Sequence, residues 1–113
     1  MSLSPTDFHV LLVLAGGDLY GYAILKAVQR ESGGAVQPDI GSLYRVLGRL
    51  MMLGLVDEVA PAAHAQEVHR GKTRRYYRLT RKGRATLKAD ARRLQGALEL
   101  ARARALLPEG SNA

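Results

Sequence analysis

Cysteine is absent from the 113 residues, and so is tryptophan. The first absence excludes a disulfide framework and any zinc site built on thiolates. The second excludes a tryptophan-lined drug pocket. Acidic residues are few: ten Asp and Glu stand against 17 Lys and Arg, for a formal net charge of +7 and a pI of about 10.3. No apolar run approaches the roughly 18 residues needed to span a bilayer. The N-terminal residues show no basic segment followed by an apolar stretch, so no signal peptide, no membrane partner and a cytoplasmic location are expected. Catalytic constellations are missing too. His9, His64 and His69 lack metal-ligand spacing, no glycine loop carries Lys-Ser/Thr, and Asp57-Glu58 reads as hairpin surface. The expectation is a protein that is not an enzyme, with no cofactor, no catalytic residue and no metal.

What is present fits one domain with a modest core, since apolar residues make up 47% of the chain. A domain this small buries a limited share of its surface, so a second subunit would help it. The charge is lopsided. Residues 1–69 hold four cations against seven carboxylates, whereas residues 70–113 hold 13 cations against three. Such a basic half is the footprint of a polyanion partner, or of an Arg-rich helix kept soluble by its own charge.

Local signals divide the chain. Ser4-Pro5-Thr6-Asp7 starts a helix: Ser4 caps, Pro5 suits the first position, and Asp7 complements the helix dipole. The helix is expected to reach Leu14 or Ala15, where Gly16-Gly17-Asp18 ends it. A second helix runs from Tyr20-Gly21 to about Ser32 and stops at Gly33-Gly34. Asp39 caps a third, which reaches Met52 before Gly54. Two strand-like runs follow, 55–60 and 74–79, joined by a long loop from Pro61 to Thr73. Alternation places Tyr77 and Leu79 on one face of the second run, and Tyr76 and Arg78 on the other. Thr80 then caps a last long helix, expected over 81–107, with a frayed tail at 108–113.

The third helix is amphipathic. At 100° per residue, Ile40, Leu43, Tyr44, Leu47, Leu50 and Met51 share one side. Ser42, Arg45 and Arg49 share the other, flanked by Gly41 and Gly48, whose small size permits close approach of a partner. The order of elements, three short helices, a hairpin with a basic tip and a closing helix, is that of a winged helix-turn-helix. In that fold the third helix enters the DNA major groove, where Arg reads guanine edges bidentately. Four of the six residues from Arg70 to Arg75 are cationic, namely Arg70, Lys72, Arg74 and Arg75. Packed like charges repel one another unless a counter-charge visits. A solvated helix face and a partnerless basic loop are the plain alternatives. Gln37, in the connector before the third helix, joins the candidate DNA-contacting set.

On the last helix, Leu87, Ala91, Leu94, Leu98, Ala101 and Ala105 are spaced 4, 3, 4, 3, 4, the seam of a coiled coil. The seam is short, and its alanines bury little. With Phe8 and Leu12 of the first helix it could join two chains; alternatively it packs onto its own domain.

Three stretches resemble the PadR family of bacterial winged-helix repressors: Leu19-Tyr20-Gly21-Tyr22-Ala23-Ile24; Gly41 to Leu50, followed by Leu53-Gly54-Leu55-Val56; and Arg75 to Gly83. Together, in this order and at these spacings, they carry a likeness that covers 3–100. The chain departs from the family pattern at Ile40-Gly41, where Pro-Gly is usual, and in a longer Ala-rich loop over 61–66. The resemblance implies a mainly helical fold with a small β-hairpin: a winged helix-turn-helix over 1–80 plus a single dimerisation helix over 81–107. It implies a homodimeric repressor of double-stranded DNA operators, released in some members by a small aromatic effector. Ser42, Tyr44, Arg45, Arg49 and the wing cations are the matching DNA-contacting positions. The rival readings are an RNA-binding or architectural protein, or a protein–protein adaptor, without operator specificity.

Overall fold

The computed structural model describes residues 2–59, 68–69, 72–73 and 75–108, with only the backbone described at 68–69 and 72–73. The elements are α1 (Pro5–Leu14), β1 (Leu19–Tyr20), α2 (Gly21–Glu31), α3 (Ile40–Met52), β2 (Val56–Val59), β3 (Val68–His69), β4 (Lys72–Thr73), β5 (Tyr76–Leu79) and α4 (Arg81–Ala103). The protein is mainly helical with a small antiparallel sheet, the expected class.

The helix starts follow local chemistry. Ser4 and Asp7 form a reciprocal capping box: the Asp7 N–H donates to Ser4 Oγ at 3.1 Å, and the Ser4 N–H donates to Asp7 Oδ2 at 3.0 Å. The Asp39 carboxylate accepts the Ser42 N–H at 2.7 Å at the head of α3. That bond holds the Asp39 carboxyl below the usual carboxylate range, so the cap is present at neutral pH and is lost as the pH falls through that lowered value. At the other end of α3, Gly54 takes φ +76°, and the Leu55 N–H reaches back to the Leu50 carbonyl at 2.9 Å. Only a residue without a Cβ takes that left-handed turn cheaply.

Leu11, Ile24, Val28, Leu43, Leu47, Leu50 and Leu55 are fully buried where the first three helices meet the sheet. Each contributes about 1.5–3 kcal/mol relative to an exposed position. The sheet has the order β1-β5-β2, with Leu19 opposite Tyr77, Tyr20 opposite Tyr76, and Val56 opposite Leu79. Strand β1, unforeseen from the sequence, turns the expected hairpin into three strands. The expected alternation in β5 holds, but β1 covers its second face, so Tyr76 and Tyr77 are both buried. Tyr77 faces the core, while Tyr76 sits edge-on to the Tyr20 ring of β1, with ring centres 5.6 Å apart. Part of the expected loop is also strand: Val68 pairs with Thr73, and His69 with Lys72.

α4 begins on the domain and leaves it. Gly83, Leu87 and Asp90 are buried, whereas every residue over 91–100 is exposed in the single chain. The helix ends at Ala103 instead of Leu107. Ala105 there takes φ +59°, and the Leu106 N–H returns to the Ala101 carbonyl at 2.9 Å. A left-handed closing turn of this kind stops a helix without glycine. The expected tail lies outside the described residues except for Pro108.

Candidate nucleic-acid interface

The buried side of α3 is its three leucines, 43, 47 and 50, so the opposite side is open to a partner. Arg45 lies near the middle of that open side. Its Nη2 donates to Ser42 Oγ at 2.9 Å, and Ser42 is in turn tied to Asp39, so the guanidinium is already ordered along the first turn. The expected grouping of Ile40 and Tyr44 with the core is corrected: they are 43% and 47% exposed. They lie at the margin of the stripe, beyond the reach of the core leucines. The Tyr44 ring rests over Gly21, where an added Cβ would overlap the tyrosine hydroxyl. Gln37 donates its amide to the Gly34 carbonyl at 2.9 Å and braces the connector before α3.

The wing adjoins this helix. Burial pushes the Tyr77 phenol above its ordinary value; Tyr44 and Glu58 nearby push the same way, and Arg75 opposes them. Tyr44 of the third helix and Arg75 at the root of the wing are thus both near enough to act on that phenol electrostatically. Among the other wing cations, Lys72 is in β4, and Arg70 and Arg74 lie outside the described residues. Part of the basic half serves the fold. Arg78 grips Asp18 through two bonds of 3.2 and 2.7 Å, and Lys82 donates to the Leu53 carbonyl at 2.9 Å, closing α3.

Arg49 has a partner that sequence spacing could not reveal. Its Nη2 is bonded to Oδ1 of Asp7, a carboxylate buried at the start of α1 and 42 residues away. Asp7 carried a helix-start signal and no hint of this second bond.

Residues 10–89 match the transcriptional regulator PadR-like family. The chain belongs to that family. Its members are transcription regulators and not enzymes. No curated protein matches the chain at a significant level. Among solved structures, it is similar to a PadR family transcription regulator from Clostridium difficile at 23% identity, covering 88% of this chain and 96% of that one, with a TM-score of 0.71. A PadR family regulator from Eggerthella lenta is 25% identical over 94% of this chain and 87% of that one, with a TM-score of 0.61. PadR of Bacillus subtilis, solved in complex with operator DNA, is 23% identical over 74% of this chain and 44% of that one, with a TM-score of 0.60.

The residues expected to join two PadR-like chains divide into two groups. Leu87, at 6% exposure, belongs to this chain's own core, because the first two turns of α4 lie on the domain. Ala105 falls beyond the helix end and leaves the seam. Phe8 is partly buried, packed on the core and edge-on to His9 at 5.7 Å. Leu12, Leu94 and Leu98 are exposed large apolar residues, Ala91 is exposed, and Ala101 is half-buried. Leu94 and Arg93 of α4 face Pro5, Phe8 and His9 of α1 across a groove of about 320 Å³. Tyr20 and Tyr22 line a separate groove of about 520 Å³, with Val13, Lys26 and Arg30. Among the described residues no helix is long and apolar enough to cross a membrane, and no cluster of His, Asp and Glu is placed to hold a metal ion.

Proposed function

We propose that this PadR-like regulator is a repressor that binds an inverted-repeat operator as a homodimer. Residues 1–80 read the DNA, and the exposed half of α4, with α1, pairs the chains. The carrying observation is the outer side of α3, where Arg45 is ordered by Ser42 at the centre of an unburied face. A guanidinium presented on a helix fits the major groove and the guanine edge. The wing cations supply sequence-independent attraction to phosphates. The Bacillus subtilis relative solved on operator DNA supports the same use of the fold. Release by a small aromatic effector belongs to this reading, and the groove beside Tyr20 and Tyr22 has room for one ring system.

The two classes of cation are expected to fail differently. Arg45→Ala costs about 1–3 kcal/mol on the operator and relaxes preference at one base pair. Lys72→Ala weakens all duplexes alike and lowers the salt slope by about one. Gel-shift titrations on operator and random duplexes across a salt series separate them. Equal losses on both duplexes from both variants would remove the recognition-helix assignment and favour a non-specific architectural or adaptor role.

Gly48 provides an independent check. Apart from its chain neighbours and its own helix backbone, no atom of the described residues lies within 4 Å of where its Cβ would be, so packing within the chain does not demand glycine there. Glycine inside a helix costs about 0.5–1 kcal/mol relative to alanine. Gly48→Ala is therefore expected to raise the melting temperature while weakening duplex binding, because the added methyl stands on the DNA-facing flank. Binding that is unchanged or improved would show that no partner approaches this stretch of backbone.

A further inference from the structure

We infer that Asp7 is a positioning residue for DNA reading: it holds Arg49, and through Arg49 the orientation of the recognition helix, so that Arg49 braces α3 and does not read a base. This rests on the operator-binding reading above. The Asp7 side chain is only 3% exposed, and both of its oxygens are engaged. Oδ2 accepts the Ser4 N–H at 3.0 Å, which fixes the carboxylate to the first turn of α1. Oδ1 accepts from Arg49 Nη2, which fixes α3 to that same point. Along its buried side α3 is held by Leu43, Leu47 and Leu50, with the Tyr44 ring over Gly21 and the Lys82 bond to the Leu53 carbonyl only at its C-terminal end. Aliphatic contacts are individually non-directional. A charge-assisted hydrogen bond to a buried carboxylate is directional and costly to break. It therefore sets the rotation of the helix that carries Arg45 one turn earlier. The same bond neutralises Arg49, which lessens its attraction for phosphate.

The test uses the full chain, a footprinted operator duplex and a random duplex of equal length, titrated across a salt series well below each protein's melting temperature. The variants are Asp7→Asn, Arg49→Gln and the double substitution. Bracing predicts that each single variant loses roughly tenfold on the operator, about the cost of one mismatched base pair. It also predicts an unchanged salt slope and a double variant no weaker than either single. A base- or phosphate-reading Arg49 predicts the reverse. Asp7→Asn would free the guanidinium and tighten or preserve operator binding, and Arg49→Gln would lower the salt slope by about one if it met a phosphate. Either of those results overturns the inference. If Asp7→Asn does not fold, Arg49→Gln is combined with Arg45→Ala: bracing acts through Arg45, so operator losses that do not add, with an unchanged slope, support it, and additive losses, a slope lowered by about one, or no operator loss from Arg49→Gln overturn it. Wild-type protein with no preference for any duplex defeats the operator reading itself, a result separable from the variant comparisons.

Discussion

Replacing Leu94 with Asp is expected to leave a folded monomer that no longer holds its operator. In the single chain Leu94 is 39% exposed and Leu98 37%, on a stretch of α4 where no residue is buried. A carboxylate placed there stays hydrated in the monomer and costs the fold little. Across a subunit seam it would be taken from water without a partner, at a cost of several kcal/mol. Two recognition helices reading half-sites about 10 base pairs apart act together only while the seam holds, so losing it removes most of the specific affinity. Leu87→Asp serves as the contrast, because Leu87 lies in the core and its substitution is expected to unfold the domain. Sedimentation velocity gives the oligomeric state, and a gel shift at constant salt gives the binding. An unchanged dimer carrying Leu94→Asp would move the interface to another surface.

Among the described glycines, Gly83→Ala is expected to have the largest effect on stability. Gly83 lies in the first turn of α4, pressed against the start of the wing. A Cβ there would overlap the Leu55 carbonyl oxygen and come within 2.8 Å of the Leu79 side chain. The obstacle is mainly backbone, and that backbone is itself committed, since the Leu55 carbonyl accepts the Thr80 N–H at 3.1 Å. It cannot yield without breaking the junction of β2, β5 and α4. Overpacking costs about 1–3 kcal/mol even where side chains can adjust, and this site is at or above that range. For a domain of this size each kcal/mol is worth about 4–8 °C, so the melting temperature should fall by roughly 10 °C or more. Calorimetry on the variant checks it. A melting temperature within a few degrees of the parent would mean that α4 can lift from the wing.

The helical part of the fold was legible because its signals are local. Ser4, Asp39 and Thr80 cap helices through bonds to backbone groups three residues away, and Gly54 ends α3 through its own φ. Such chemistry is written in neighbouring residues. Strand β1 carried no comparable signal. Two residues have no periodicity, and Leu19–Tyr20 is a strand only because β5 lies beside it. For the same reason the alternation rule, which places Tyr76 on the outer face of β5, could not show that Tyr76 is buried there, against Tyr20 of β1. On the last helix the seam spacing is real, but it does not say which turns touch the chain's own core. Leu87 does, and Leu94 and Leu98 do not, because the domain ends between them.

By itself, then, the sequence determined the order of helices, their caps and ends, the basic hairpin and the amphipathic third helix. All of these follow from interactions within a few residues along the chain. Only the tertiary structure decided what each arginine does. Arg45, bonded to Ser42 on its own helix, stays on the open face, whereas Arg49 is drawn to Asp7 and Arg78 to Asp18. The three residues are chemically identical and all are exposed. A guanidinium finds its carboxylate through space, and the separations of 42 and 60 residues that the folded chain closes leave no trace in sequence spacing.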